Sequence, residues 1–430
     1  MEKKSLTEIV KFGLKTTKKV LTKAGIFGLL TSRHKCAQIV FYIWRNTMKK
    51  FIAILLALVM VAALGTSAFA ETIKIGYVGD LTGSTSIWGQ AGLNGCLMAV
   101  EDVNAAGGVL DGIMLEMDPQ DGKGDAADSV NGFKKAIADG CVASIGTNFS
   151  SCNIPMAAVA DDLKVVALAT AASNDLVTVD ENGKLHPYSF RMCFIDSYQG
   201  TIAGQYGVMD MGYKTAGLFV VSDNAYSTGI AKYLQEAFTA AGGEVIITVN
   251  TTSTDEDFRT QLAKVKKANP DVLYILFSDY AKIAQCAIQA RELELTCDLF
   301  GTDGWDSREL LTLDNDALVG AKYVSRPGYN TDIAKEFGKR YAEKYNVPES
   351  ELETESLYGY DCVMWLVDAM TRANSTDPTA IRDALEATET FSGVMGSMIM
   401  NAETHNPNYE IAVFTVGADA ATFEGIVGLR

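Results

Sequence analysis

The chain runs to 430 residues, 48% hydrophobic and 21% charged, which is enough for two ordinary domains with buried cores and excludes a largely disordered protein. The formal charge of -16 conceals an asymmetry: residues 1–50 hold 12 of the 37 Lys and Arg but only Glu2 and Glu8 of the 53 acidic residues, so the remainder carries 25 basic against 51 acidic groups. A surface that negative repels phosphate backbones and excludes nucleic acid as a partner.

Residues 1–47 are basic, carry Trp44 and read as a non-native upstream extension, an unusually long n-region being the other reading. Residues 48–70 form a signal peptide: Met48-Lys49-Lys50, the apolar run Phe51–Leu64, then small residues up to a cleavage site that makes Glu71 the mature N-terminus. The apolar run is 14 residues, short of the roughly 20 that span a bilayer. No cysteine follows the cleavage site to take a lipid, so the mature form is expected to be periplasmic and not inserted in a membrane.

From Thr72 onward short apolar runs alternate with stretches of helical period. Ile73–Val78, Ile113–Met117, Val142–Ile145 and Val165–Ala169 read as buried strands, interleaved with helices such as Gly89–Asn104 and Asp128–Ala138. After a break near Arg191–Asp196 the pattern restarts, with strands Gly217–Val221, Val245–Val249 and Val272–Phe277 and helices Thr228–Ala240, Glu256–Ala268 and Ala281–Glu292. The helical stretches Ile333–Tyr345 and Ser356–Met370 follow, and Met398–Met400 and Ile411–Val416 complete an edge. The fold class is therefore α/β, two doubly wound lobes joined by a hinge of several crossovers. Residues 71–193 plus 327–395 are assigned to the N-terminal lobe and 194–326 plus 396–430 to the C-terminal lobe. Ligands of such sheets sit beyond the carboxyl ends of the strands, here in the cleft between lobes.

The strand Val142–Ile145 empties into Gly146-Thr147-Asn148-Phe149-Ser150-Ser151-Cys152-Asn153. Asn153 is placed to cap a helix Ile154–Leu163 with Pro155 in its first turn, and Ser150 and Ser151 add donors to that helix N-terminus, a cradle for a carboxylate or phosphate. The next strand ends in Ala171-Ala172-Ser173, whose small residues admit a ligand to the backbone while Ser173 offers a hydroxyl. Either exit alone is equally a helix cap; two neighbours ending alike favour a shared ligand. In the second lobe Gly301-Thr302-Asp303-Gly304-Trp305 sets a carboxylate at a strand end to meet a cation, with Trp305 as a pocket wall. Tyr226 and Asp279 leave their strands at equivalent places.

These marks resemble the type I periplasmic solute-binding proteins of ABC importers, in particular the leucine/isoleucine/valine-binding family. The resemblance runs from about Thr72 to the C-terminus, through Ile75-Gly76-Tyr77-Val78-Gly79-Asp80-Leu81-Thr82-Gly83, Trp88-Gly89, Val103-Asn104-Ala105-Ala106-Gly107-Gly108-Val109, Ser150-Ser151, Gln289-Ala290-Arg291 and Tyr360-Asp361. It implies a clamp that closes on an amino acid, branched-chain or a related polar or aromatic one, and delivers it to a permease. Ser150 and Ser173 match the hydroxyl residues that hold the ligand's α-carboxylate and α-ammonium, Ala171 the one that offers a carbonyl, Asp303 the acid that meets the ammonium, and Trp88 and Tyr226 aromatic walls. Two departures stand out. Phe149 replaces a cysteine that some relatives pair with one near Lys123–Gly124, and Asp279 stands where a pocket tyrosine is common, which points toward a polar, cationic or amide ligand side chain.

Other solutes, namely an amide, a urea-like molecule or an aromatic or carboxylic acid, and a sensory role form the alternative reading. No catalytic motif is present, and His186 and His405 read as solvated loop residues, so no enzyme is expected. No cofactor or metal site is expected, since the seven cysteines beyond the signal form no CxxC pair. Cys286 with Cys297 is the nearest candidate disulfide, and a monomer with permease subunits as partners completes the expectation.

Overall fold

The computed structural model describes residues 41, 42, 44, 45, 47–49, 72–313 and 316–430. The expected secretion signal and the extension before it lie outside the described residues, save for helical residues 41, 42, 44, 45 and 47–49. Glu71–Arg430 is one compact unit.

Its first sheet is five-stranded and parallel, in the order β2 (Met114–Asp121), β1 (Thr72–Gly79), β3 (Ala143–Ile145), β4 (Val166–Ala169), β5 (Ser189–Arg191). Ile75, Val78, Ile145 and Leu168 are fully buried, as a sheet covered on both faces requires. The covering helices are α1 (Ser86–Ala105), α2 (Ala126–Ala138), capped by Asp125, and α3 (Ser150–Leu163). Because the strands are parallel, the carboxyl ends of β1, β3 and β4 open on the same edge.

The second lobe contributes α4 (Asp196–Met209), β6 (Thr215–Val221), α5 (Ala225–Ala240), β7 (Glu244–Thr251), α6 (Arg259–Ala268), β8 (Val272–Leu276), α7 (Tyr280–Glu292), β9 (Asp298–Gly301), α8 (Arg308–Thr312) and β10 (Lys322–Ser325). The chain then returns to the first lobe through α9 (Asp332–Tyr345), α10 (Glu355–Ala373) and α11 (Pro378–Glu386). The crossing of α10 over α1 is tight: a Cβ on Gly95 would lie 2.0 Å from the Ser356 carbonyl oxygen, and one on Gly359 2.0 Å from that of Gly92. Glycine is required there for backbone approach.

A three-stranded antiparallel sheet follows, β11 (Thr390–Gly393), β12 (Gly396–Asn401) and β13 (Asn406–Asn408). Two further strands, β14 (Ile411–Val416) and β15 (Ala421–Val427), then close the second sheet, whose order is β15-β14-β10-β9-β8-β6-β7. Its β10–β14 and β14–β15 pairs are antiparallel and the others parallel.

This arrangement corrects the assignment of 396–430 to the C-terminal lobe. Residues 396–408 stay with the first: Phe391 of the small sheet packs on Trp365, Thr178 Oγ1 donates to Asn406 Oδ1 at 3.1 Å, and the chain crosses only at β14. His405 is likewise not solvated. Its ring is stacked 3.9 Å from Phe190, with Nδ1 3.0 Å from the Ser189 carbonyl oxygen. His186 sits half-buried against Asp161, 2.7 Å away.

Cys286 and Cys297 are both free thiols, against the expected disulfide. Cys286 is wholly buried in the core under α7, whereas Cys297 lies before β9 with its carbonyl taken by Arg291 Nη1 at 3.2 Å. Among the described residues no helix is long and apolar enough to cross a membrane, and no group of three or more ligating side chains could hold a metal.

Candidate functional site

The polar exit of β3 is built around a glycine. Gly146 has φ +102°, and a Cβ there would lie 1.9 Å from the Val78 carbonyl oxygen of β1, so no other residue lets the chain turn so close to its neighbouring strand. Asn153 then staples the turn from inside the helix. Its Nδ2 donates to the Thr147 carbonyl (2.9 Å), to Thr147 Oγ1 (2.8 Å) and to the Phe149 carbonyl (3.1 Å).

The helix therefore begins at Ser150, not at Ile154, and Pro155 falls inside it rather than at its first turn. Asn153 was expected as the cap; its side chain is bound to the turn instead. The consequence is that Ser150 and Ser151 themselves form the first helical positions, whose N–H groups have no intrahelical partner. Ser150 Oγ accepts from the Asn174 N–H at 3.1 Å, which ties the β3 exit to the β4 exit and leaves its own proton to donate.

The opposite wall is acidic. Asp303 follows β9, is 7% exposed and accepts at Oδ1 from the Tyr226 hydroxyl at 2.8 Å. The same hydroxyl accepts from the Gly304 N–H at 2.7 Å, so Tyr226 and Asp303 hold each other in place. Burial raises the Asp303 carboxyl above its ordinary range, and Arg326 opposes that rise.

Arg326, the residue after β10, is 3% exposed. Its Nη2 donates to Glu355 Oε1 at 3.0 Å, its Nη1 stands 3.9 Å from Asp303 Oδ2 and its Nε 3.7 Å from Asp306 Oδ2. The guanidinium carbon lies 4.2 Å from the centre of the Tyr358 ring. Burial works against that charge, but Tyr358 and the surrounding carboxylates raise its pKa, so the arginine stays protonated. Glu355, first residue of α10, is pushed by burial up to about 7. Glu353 is raised by burial and by Glu355; it accepts the Trp88 indole N–H at 3.2 Å and the Arg308 N–H at 2.9 Å.

Of the expected site residues, Trp88, Ser150, Ser151, Ala171, Tyr226 and Asp303 line one cleft of about 450 Å³. Asn148, Phe149, Asn224, Ser278, Arg326 and Glu355 join them. Four do not. Ala172 is wholly buried behind the cleft with its carbonyl taken by Arg191 Nη1 at 3.0 Å, and Ser173, also buried, faces the Asp196 carboxyl. Trp305 is no pocket wall: it is 1% exposed and its indole donates to the Ile275 carbonyl at 3.0 Å beneath the sheet edge. Asp279 caps α7 by accepting from the Ala281 and Lys282 N–H groups at 3.1 and 3.2 Å, and it lines a separate cavity of about 910 Å³ that shares Phe149, Ser151, Asn224 and Ser278 with the cleft.

Arg326 and Glu355 were missed by sequence reasoning. A charged residue directly after an apolar strand, as in Val324-Ser325-Arg326-Pro327, was the available signal for the first. Glu355 sits in the acidic run Glu351–Glu355, which reads as a solvated surface.

The lobes already touch across the cleft. Asn174 Nδ2 donates to the Ala225 carbonyl at 2.7 Å, the Tyr280 hydroxyl to the Ser84 carbonyl at 3.0 Å, and Trp88 meets Tyr280 edge-on at 5.4 Å. A two-lobed clamp with donors on one wall and a buried carboxylate on the other defines a solute-binding protein. The match is to the family described as periplasmic binding protein, over residues 72–421, and the chain belongs to that family.

A Leu/Ile/Val-binding protein homolog from Brucella abortus is 28% identical over 376 residues, covering 86% of this chain and 98% of its own. The leucine-specific-binding protein of Salmonella typhimurium is 25% identical, over 87% and 99%. Among solved structures, a leucine binding protein from Thermotoga maritima aligns with a TM-score of 0.76 at 29% identity, over 83% of this chain and 99% of that one. The branched-chain amino acid transporter substrate-binding protein of Streptococcus pneumoniae, in complex with isoleucine, aligns with a TM-score of 0.74 at 26% identity, over 83% and 100%. The fold is that of the type I periplasmic binding proteins.

Proposed function

We propose that this protein captures a zwitterionic amino acid in the cleft between its lobes and delivers it to the permease of an ABC importer. The observation that carries the reading is the opposition, within one small cleft, of the Ser150–Ser151 helix N-terminus to the buried Asp303 carboxylate. The first suits an α-carboxylate. The second suits an α-ammonium, with the Ala171 backbone on the same wall as the serines. The names of the Brucella, Salmonella, Thermotoga and Streptococcus relatives support the same ligand class.

In this reading residues 48–70 are removed on secretion, the mature protein works as a monomer outside the cytoplasm, and its role is binding without catalysis or cofactor. Titration calorimetry of the purified protein against leucine, isoleucine, valine and the polar amino acids tests it, with benzoate and acetamide as controls. Binding of at least one amino acid, and of neither control, is expected. A protein that bound benzoate or acetamide and no amino acid would overturn the reading.

A further inference from the structure

Three residues lining the cleft keep a buried polar atom without a hydrogen-bond partner: Asn148 Nδ2, Arg326 Nε and Glu355 Oε2. Arg326 Nε still faces Asp306 at 3.7 Å, within ion-pair range. Asn148 and Glu355 have no such compensation.

Glu355 is 4% exposed, and its other oxygen is bound by Arg326 at 3.0 Å. A buried acceptor left unmade is costly, and native structures seldom tolerate one outside a place where a ligand or water completes it. The geometry divides the work between the two acids. On the amino-acid reading Asp303, held by Tyr226 across the cleft from Ser150 and Ala171, meets the ammonium, which leaves Glu355 for a different donor. Asn148 stands beside Phe149, whose ring lies 6.3 Å from Trp88, so an amide lines the cleft next to two aromatic rings. Asp279, the residue from which the sequence suggested a polar ligand side chain, is used up as a helix cap.

Resting on the amino-acid reading above, we infer that Glu355 and Asn148 are specificity-determining residues that read the ligand's side chain, and that the preferred ligand carries a hydrogen-bonding side chain, a hydroxyl or carboxamide, in place of a purely aliphatic one. Such a group offers an O–H or N–H to Glu355 Oε2 and an oxygen to Asn148. An aliphatic side chain of the same shape leaves both protein atoms buried and unmade, and a site built to hydrogen-bond discriminates strongly against the analogue that lacks the group.

The test compares pairs of nearly equal shape, threonine with valine and asparagine with leucine, by titration calorimetry. In the wild-type protein the polar member of at least one pair binds ten-fold or more tightly than its aliphatic partner. In Glu355→Gln, and independently in Asn148→Leu, that ratio falls at least three-fold. Asn148 is no partner in the Arg326 ion pairs, so the second variant keeps the inference falsifiable if the first does not fold. Preference for the aliphatic member in both pairs, or equal loss for both members in the variants, overturns the inference while leaving amino-acid capture intact. Absence of binding by every amino acid overturns the reading beneath it instead.

Discussion

Replacing Asp303 by Asn isolates the charge of the acidic wall, because the amide keeps the size of the carboxylate and an oxygen for the Tyr226 hydroxyl, 2.8 Å away. Oδ2 stands 3.9 Å from Arg326 Nη1, beyond hydrogen-bond length, so it is the oxygen left for an ammonium. Two unit charges about 4 Å apart attract by about 4 kcal/mol at the effective dielectric of protein sites. Part of this is offset by stripping water from the ammonium, and a charge-assisted hydrogen bond contributes about 1.5–3 kcal/mol net. A loss of about 2–4 kcal/mol follows, a Kd weakened roughly 30- to 1,000-fold. The unliganded fold does not depend on the charge in the same way. Burial already raises the Asp303 carboxyl, and Arg326 keeps Glu355 and Asp306 when it is gone. Calorimetry should therefore find amino-acid affinity collapsed while the melting temperature moves by only a few degrees. A folded Asp303→Asn protein whose Kd changed less than three-fold would refute the assignment of the ammonium to this residue.

Ser150→Ala removes the donor of the opposite wall and frees the Asn174 N–H it accepts, so affinity should fall about 10- to 100-fold, at roughly 1.5–3 kcal/mol per charge-assisted bond; titration calorimetry reads it, and an unchanged Kd would remove the serine from the site. Gly146→Ala forces a Cβ to within 1.9 Å of the Val78 carbonyl oxygen and should cost at least about 3 kcal/mol, measured by urea unfolding. Asp361 is buried and raised to about 7 while it accepts the Val394 and Met395 N–H groups at 2.8 and 2.9 Å. Its folded pKa lies above the unfolded value, so its contribution is fully present below about pH 4 and is lost as pH rises through 7, by about 4 kcal/mol at most. Urea unfolding should thus show stability falling between about pH 4 and 7 more steeply in the wild type than in Asp361→Asn; equal slopes would contradict it.

How far the sequence carried the fold depended on whether the forces were local. Strands such as Thr72–Gly79 and Val272–Leu276 were legible because their apolar runs are continuous and both faces are covered. The start of α3 was not, since Asn153 looks like a cap by position and is diverted to the preceding turn by Thr147. The site divides in the same way. Ser150, Ala171 and Asp303 were readable from their places after strands. Asp279 has the same placement, but the free N–H groups of α7 satisfy it first. Trp305 turns inward because a short helical turn, Asp303–Trp305, aims the ring under β8. Glu355 carries no local signature, and the charge after β10 is a local signal that names no partner. Arg326 and Glu355 meet only because the chain crosses back between lobes between them.

That crossing gives Arg326 a particular place in the molecule. Its partners Asp303 and Asp306 belong to loops after β9, in the second lobe, whereas Glu355 and Tyr358 belong to α10, packed on the first. One buried arginine thus holds carboxylates from both lobes at the edge of the ligand cleft. Its positive charge stands among Asp303, Asp306 and Glu355, with Glu353 and Arg308 close by, where water is scarce. Burial raises three of these carboxyls, which favours their neutral form. On the amino-acid reading proposed above, the ligand's ammonium supplies a further positive charge at that spot and favours the ionised carboxyls. In that reading recognition of the ammonium and closing of the clamp draw on one set of groups, because Arg326 and its carboxyl partners come from both lobes.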